Sequence, residues 1–413
     1  MKVKRQIHSK FKLQGKSFSS EIELINFTKN ISSEVTNFLK QWFNNNSFVE
    51  IKTSGSTGKP KHIQLQKKFM INSAIATGEY FELPETTSAL LCMSPNYIAG
   101  KMMLVRALTL GWHLDVVKPS SNPLKNCTRK YDFCAMVPLQ LQNSLNDLSK
   151  IKKLIVGGGA VSEELILKIQ NVPTEVFATY GMTESITHIA VKKLNNFLPV
   201  IASEMKQSVK KDDEITSSDG HLPNNVIASG TKQSVGSDAK ITSGDGYLRN
   251  EVTASERKAN YNILPNIKIS KDNRGCLIID APNVSTEKII TNDLVEIISE
   301  KEFNWLGRFD TIINSGGIKI VPEQVEKKLS KLISDRFFVA GISDAILGEK
   351  VILIIEGFYK STSKDELLKK IKNKSALSQF EVPKEIVFIE RFIETETKKV
   401  NRPETLKLVN NSY

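Results

Sequence analysis

The segment Thr53-Ser-Gly-Ser-Thr-Gly-Lys-Pro-Lys61 concentrates hydroxyl donors, glycine and positive charge in nine residues. Gly55 and Gly58 let backbone N–H groups approach a ligand closely. Ser54, Ser56 and Thr57 add side-chain donors and Lys59 and Lys61 add cations, so the segment reads as a cradle for polyphosphate. A solvated Ser/Gly turn is the plain alternative, and it leaves both lysines without a purpose. The P-loop of kinases and GTPases spaces its glycines by four residues and runs through Lys-Ser/Thr into a helix. Here only Ser56 and Thr57 separate Gly55 from Gly58, and Pro60 removes a backbone donor. His62-Ile-Gln-Leu-Gln66 alternates polar and apolar residues, which predicts a strand. A strand–loop–strand cradle follows.

Further segments carry residue types suited to a nucleotide. Val156-Gly-Gly-Gly-Ala160 ends one apolar run, and Thr179-Tyr-Gly-Met-Thr-Glu184 follows another, Val176-Phe-Ala178. Thr291-Asn-Asp293 supplies a carboxylate, and Gly307-Arg-Phe-Asp310 precedes Ile313-Asn-Ser-Gly-Gly-Ile-Lys-Ile-Val-Pro-Glu323. Glu394-Thr-Glu-Thr-Lys-Lys-Val-Asn-Arg402 closes the series. In this order the segments resemble the adenylate-forming superfamily, the acyl- and aryl-CoA ligases and their relatives. The resemblance runs from about residue 51 to the C-terminus, with some fifty residues before the phosphate loop where the family has a long N-terminal region.

That resemblance implies a role for each segment. Thr53, Ser54, Gly55, Ser56, Thr57, Gly58 and Lys59 would bind the phosphates of ATP. Gly158, Gly159 and Ala160 would lie against the nucleoside with Thr179, Tyr180, Gly181 and Met182, the Tyr180 ring offering adenine a π-face. Thr183 would contact the α-phosphate, and Glu184 would help hold Mg²⁺, a hard oxygen for a hard cation. Asp293 would accept from both ribose hydroxyls, with Asn292 where the family has glycine. Arg308 would touch ribose or phosphate, Asp310 would be a hinge, and Gly316, Gly317 and Lys319 would face coenzyme A. Matching Arg402 to the family's trailing basic residue makes Lys399 the catalytic lysine, and Lys398 beside it leaves the choice between the two open.

More narrowly, residues 94–106 and 136–142 resemble the compact o-succinylbenzoate–CoA ligases of menaquinone biosynthesis. Tyr97, standing where many relatives carry histidine, would line the acyl pocket with Gly100 and Lys101. Lys101 or Arg106 would meet the second charge of a dicarboxylate. The implied activity is carboxylate activation as acyl-AMP, then transfer to coenzyme A. Another acid specificity is one alternative, and a nucleotide-binding homologue inactivated by an insertion is another.

The elements that must position these residues alternate. Helical spacing covers Glu21 to Trp42, Lys67 to Phe81, Met102 to Leu110, Gln140 to Leu148 and Ser162 to Ile169. Apolar runs near residues 88–93, 133–137, 153–156 and 175–179 predict strands between them. Such alternation implies an α/β fold with a parallel sheet, and ligands then sit at the carboxyl ends of its strands. An amphipathic helix from Glu323 to Ile333 starts at Pro322. The expected organisation is a large adenylate-forming domain, residues 1–309, with mixed sheets and flanking helices. The resemblance further implies a small mobile α+β domain, 310–413, joined to it by a hinge. Residues 200–260 repeat with a period of 26: VIASEMKQSV begins at Val200 and VIASGTKQSV at Val226. Their polar composition predicts a largely disordered insertion without a catalytic role.

Composition excludes several classes. The 413 residues carry 40% hydrophobic and 25% charged side chains and a formal charge of +12. The lysines are spread among acids rather than gathered in a stripe, which favours anionic small ligands over nucleic acid. The histidines and the cysteines Cys92, Cys127, Cys134 and Cys276 lack metal-ligand spacing. With no apolar run of about 20 residues and no signal-peptide pattern at the N-terminus, the expected location is cytoplasmic. The sequence is compatible with a homo-oligomer and does not fix one.

Overall fold

Serine caps divide the first helical stretch. Spacing from Glu21 to Trp42 predicts one helix, whereas two form: α1 (Glu21–Thr28) and α2 (Ser33–Phe43). The hydroxyls of Ser20 and Ser32 accept from the N–H groups of Glu23 and Val35. Each satisfies a donor that a helix start leaves open, worth about 1 kcal/mol, so a second start at Ser32 competes with continuation. The structure, a computed structural model, describes residues 7–52, 62–195, 259–358, 364–395 and 399–410. The segment Thr53–Lys61, almost all of the repeat region and Lys398 lie outside the described residues.

The strands of the first half are β1 (Lys12–Leu13), β2 (Phe48–Lys52), β3 (His62–Gln66), β4 (Ser88–Leu91), β5 (His113–Val116), β6 (Tyr131–Met136), β7 (Ile151–Val156), β8 (Glu175–Gly181) and β9 (His188–Lys193). After the repeat region come β10 (Tyr261–Ile263), β11 (Lys268–Lys271), β12 (Cys276–Asp280), β13 (Ile289–Ser299) and β14 (Glu302–Arg308). Among the described residues these build one large sheet in the order β1-β5-β4-β6-β7-β8-β9-β10-β14-β13-β12-β11, with β2 and β3 paired apart from it. Neighbours from β1 to β8 are parallel, and from β8 onward antiparallel.

The parallel half is covered on both faces, which is why its strands are apolar throughout rather than alternating. Ala89, Phe133 and Ile155 pack on one side with α3 (Lys67–Tyr80) and α4 (Ile98–Leu110). Leu90, Cys134 and Leu154 pack on the other with Leu141 of α5 (Pro138–Asn143) and Leu165 of α6 (Glu163–Lys168). Helix α4 starts four residues before its expected Met102 and ends at Gly111, whose φ of 72° suits a left-handed cap. The helix expected over Gln140–Leu148 is instead α5 followed by a 3₁₀ turn, Leu145–Lys150.

Residues after Arg308 form a second sheet and core. Strands β15 (Ile313–Ser315), β16 (Ile318–Ile320), β17 (Phe337–Asp344), β18 (Gly348–Glu356) and β19 (Glu385–Ile389) order as β16-β15-β18-β17, with β19 parallel to β18. Helix α7 (Pro322–Leu329), shorter than its expected end at Ile333, and α8 (Lys364–Lys374) pack Val325, Leu329 and Ile371 against Val351 and Leu353. A last helix, α9 (Arg402–Asn410), follows the lysine-bearing loop. No described helix is long and apolar enough to cross a membrane.

Candidate active site

The carboxyl ends of β8 and β14 and the first half of β13 meet around one carboxylate. Asp293 lies on β13 opposite Arg308 of β14 and is 8% exposed. The Tyr180 hydroxyl donates to its Oδ2 at 2.6 Å, and the Trp305 indole N–H donates to its Oδ1 at 3.2 Å. Arg308 Nη1 stands 3.8 Å from the same Oδ1 and forms two bonds of 2.8 Å to Asp310. That fork holds the Asp310 carboxyl below its usual range and raises the Arg308 pKa, a charge-assisted bidentate pair in both directions. Burial first, and then the Asp293 charge, push the Tyr180 phenol well above its usual value, so it donates at every working pH. Among the described residues two donors reach the Asp293 carboxylate, which has about four acceptor positions.

Tyr180 is wedged in place by edge contacts with Phe303 at 5.2 Å and Tyr261 at 5.8 Å. Thr179 donates back to the Val156 carbonyl at 3.2 Å, tying this loop to the Gly157–Ala160 turn. A Cβ at Gly181 would fall 2.0 Å from the Thr187 carbonyl oxygen, so only glycine lets β9 come this close. Thr183 and Glu184 sit on a 3₁₀ turn, Thr183–Ser185. The turn is pinned by Ser185, whose hydroxyl accepts from Met182 N–H and lies 2.8 Å from the Thr187 carbonyl. Ile186 follows at φ 67°, a strained position for a β-branched residue, closing a γ-turn from Thr187 N–H to Ser185 O.

A second polar group lies beneath this loop. Arg106 is 2% exposed on α4, its Nε donating to Thr77 Oγ1 at 3.2 Å and its Nη2 to Thr187 Oγ1 at 3.5 Å. Ser73 and Thr187 hydroxyls meet at 3.0 Å. Among the described residues no carboxylate lies within ion-pair distance of Arg106, and burial pulls its pKa down to about 9. His188, 6% exposed, has an Nε2 without a hydrogen-bond partner among the described residues. Burial first, and then the charge of Arg106, bring its pKa to about 3. Because the folded value is below the unfolded one, the unfolded chain binds the extra proton as pH falls below about 6.5. Stability present above that pH should then fall by about 1.4 kcal/mol per pH unit from this group alone. Urea unfolding of wild type and His188→Gln between pH 7 and 4 measures it; the variant should show the shallower dependence.

The other expected residues separate. Tyr97 caps α4, and a Cβ at Gly100 would fall 2.4 Å from the Ser94 carbonyl oxygen. Lys101 is tied to the Pro95 carbonyl at 2.6 Å and lies over the Phe38 ring. Burial, partly offset by Glu34, takes its pKa to about 8. Gly316 and Gly317 make the β15–β16 turn with φ of 58° and 81°, the signature of a type I′ hairpin. Lys319 on β16 is exposed. Lys399 is exposed on its loop, where desolvation by nearby protein lowers its pKa. The flanks of Thr53–Lys61 are antiparallel partners with Lys52 opposite His62, so the chain enters and leaves that segment on paired strands. Sequence reasoning missed Trp305, His188 and Arg274. The last holds Asn292 and the Thr291 carbonyl at 2.9 and 3.0 Å and covers the Phe309 ring. Trp305, three residues before Arg308, was the one such signal within reach.

Comparison with known proteins bears on this arrangement. Residues 12–215 match the family described as AMP-binding enzyme. A Dyadobacter fermentans protein described as acyl-CoA synthetase (AMP-forming)/AMP-acid ligase II-like is 30% identical, with 91% of this chain and 94% of that one covered at a TM-score of 0.51. A 2-succinylbenzoate–CoA ligase of Bacillus mycoides is 25% identical over 371 residues, covering 87% of this chain and 69% of the relative. The o-succinylbenzoate CoA synthetase of Bacillus subtilis, solved with its acyl-adenylate intermediate, shares the fold at a TM-score of 0.62 and 19% identity, covering 86% and 68% of the two chains. The chain belongs to the AMP-binding enzyme family, as an AMP-forming CoA ligase.

Proposed function

We propose that the protein activates o-succinylbenzoate with ATP and transfers the acyl group to coenzyme A, as a step of menaquinone biosynthesis. The observation that carries the choice of acid is Arg106. A guanidinium buried without a counter-ion is costly, and the second carboxylate of a dicarboxylic acid would supply one. His188 Nε2, buried, neutral and without a hydrogen-bond partner among the described residues, adds a second polar group near Arg106. The relatives named as 2-succinylbenzoate–CoA ligases support this reading.

In the first half-reaction the other carboxylate attacks the α-phosphorus of ATP and pyrophosphate departs. Asp293 holds the ribose hydroxyls, and the Tyr180 ring lies along adenine beside Gly158, Gly159 and Ala160. Thr53 to Lys59 hold the phosphates that leave. Thr183 donates to the α-phosphoryl group, and Lys399 stabilises the charge growing there. Glu184 fits Mg²⁺: among the described residues it makes no ion pair, and no group of three acidic, His or Cys ligands forms a protein cage. A metal held by one carboxylate and substrate phosphates matches that donor set, and it would supply charge neutralisation.

In the second half-reaction residues 310–413 turn about Asp310 as a separate domain. This withdraws Lys399 and brings Gly316, Gly317 and Lys319 toward coenzyme A, whose thiol displaces AMP. One active site thereby serves two steps. A panel of carboxylic acids in a pyrophosphate-release assay tests the assignment. o-Succinylbenzoate should give the highest kcat/KM, and a monocarboxylic acid in first place would contradict it.

A further inference from the structure

The loop that carries Lys399 is held on both legs. Its neck is short: Glu394 bridges to Val400, the Thr395 N–H donates to the Lys399 carbonyl at 2.8 Å, and the Lys399 N–H donates to Thr395 Oγ1 at 3.2 Å. On the incoming leg, Arg336 Nη1 lies 2.9 Å from Glu394 Oε1 and 3.1 Å from Glu356 Oε2. Glu356 also accepts from the Phe392 N–H at 2.8 Å. On the outgoing leg, Arg402 opens α9 and its Nη2 donates to Glu326 of α7 at 2.8 Å. The other oxygen of Glu326 accepts from the Val339 N–H at 2.9 Å.

The two arginines are connected through rings. Arg336 lies over Phe392 at 5.8 Å and Arg402 over Phe338 at 5.4 Å, while Phe338 and Phe392 meet edge to face at 5.1 Å. A cation–ring–ring–cation stack therefore runs between both legs. Arg336 is 48% exposed, and ion pairs at such positions contribute little to stability. What they fix is geometry. A lysine amine on a four-carbon stem reaches a reacting atom reproducibly only from a backbone that is itself held.

Resting on the assignment of Lys399 to adenylation, we infer that Arg336 and Arg402 are positioning residues that hold the two legs of its loop. Neither touches substrate. They act by fixing where the Lys399 backbone sits, so their loss affects the step that uses the lysine and spares the step that does not.

The two half-reactions separate these effects. Arg336→Met and Arg402→Met should each lower the adenylation kcat by about 10- to 100-fold, the scale of a misplacement near 1 Å, and leave thioester formation from supplied acyl-adenylate within about twofold. Arg336→Lys keeps a cation between Glu356 and Glu394 and should recover part of the loss. Where a methionine variant does not fold, Arg402→Lys takes its place. An ammonium there cannot both pair with Glu326 and spread over Phe338, so the same split is expected. Equal loss in both half-reactions overturns the proposal, as does unchanged adenylation in both arginine variants. Lys399→Ala is measured alongside. Intact adenylation in that variant overturns the assignment of the lysine itself, whereas its loss there with active arginine variants overturns the positioning role alone.

Discussion

Lys399→Ala is expected to lower the adenylation rate by about 10²–10³-fold, the usual cost of removing one donor from a developing anion. Thioester formation from supplied acyl-adenylate should continue near the wild-type rate. The asymmetry follows from charge. In-line attack gathers negative charge on the α-phosphoryl oxygens, whereas thiolysis of the acyl-adenylate expels AMP, whose phosphate already carries its charge. Lys398 is the neighbouring candidate, and Lys398→Ala should cost far less. Stopped-flow pyrophosphate release and a thiol-consumption assay read the two steps separately. If the two lysine variants exchange these phenotypes, the assignment moves by one residue.

The second large effect is expected at Arg106. Arg106→Met should reduce kcat/KM for o-succinylbenzoate by about 10²-fold or more, because a carboxylate bound beside α4 would lose a buried charged partner. An aromatic acid without the second carboxylate should be affected little. The same variant should fold as well as wild type or better, by on the order of 1–4 kcal/mol. Burial takes the guanidinium to about 9, below its unfolded value, so the charged form opposes folding at neutral pH and the cost fades only as pH rises above about 9. Thr77 keeps its bond to the Ser73 carbonyl and Thr187 its bond to Ser73 after the change. Loss of stability together with unchanged acid preference would show that Arg106 is structural.

The parts of the molecule that sequence reached are those written locally. The apolar strands β4, β6, β7 and β8 and the helices between them follow from periodicity, and so does the parallel half of the sheet. The hairpin flanking Thr53–Lys61 follows from Pro60 and the alternation after it. Contacts between distant segments were less accessible. Tyr180 and Asp293 are 113 positions apart, and their hydrogen bond exists because β8 to β14 fold onto one another. Lys101 and Arg106 look equivalent in the sequence, each a lone cation on an apolar helix. Only packing separates them: Lys101 is consumed by the Pro95 carbonyl, while Arg106 keeps hydroxyl partners and, among the described residues, no counter-ion. The break between α1 and α2 shows the opposite weakness, where one serine cap outweighed a continuous apolar stripe. Arg336 could be noticed in the sequence only as an ordinary surface charge, and Arg402 only as the basic residue that sets the register of Lys399; their link through Phe392 and Phe338 comes from packing.

On the proposed function, the protein makes an acyl-adenylate from a dicarboxylic acid before it meets coenzyme A. Exchange of labelled pyrophosphate into ATP, measured with o-succinylbenzoate and Mg²⁺ and without coenzyme A, tests it most directly. Rapid exchange is expected that depends on the acid and falls by about 10²–10³-fold in Lys399→Ala. Nucleotide binding with no acid-dependent exchange, or release of ADP in place of AMP, would contradict it.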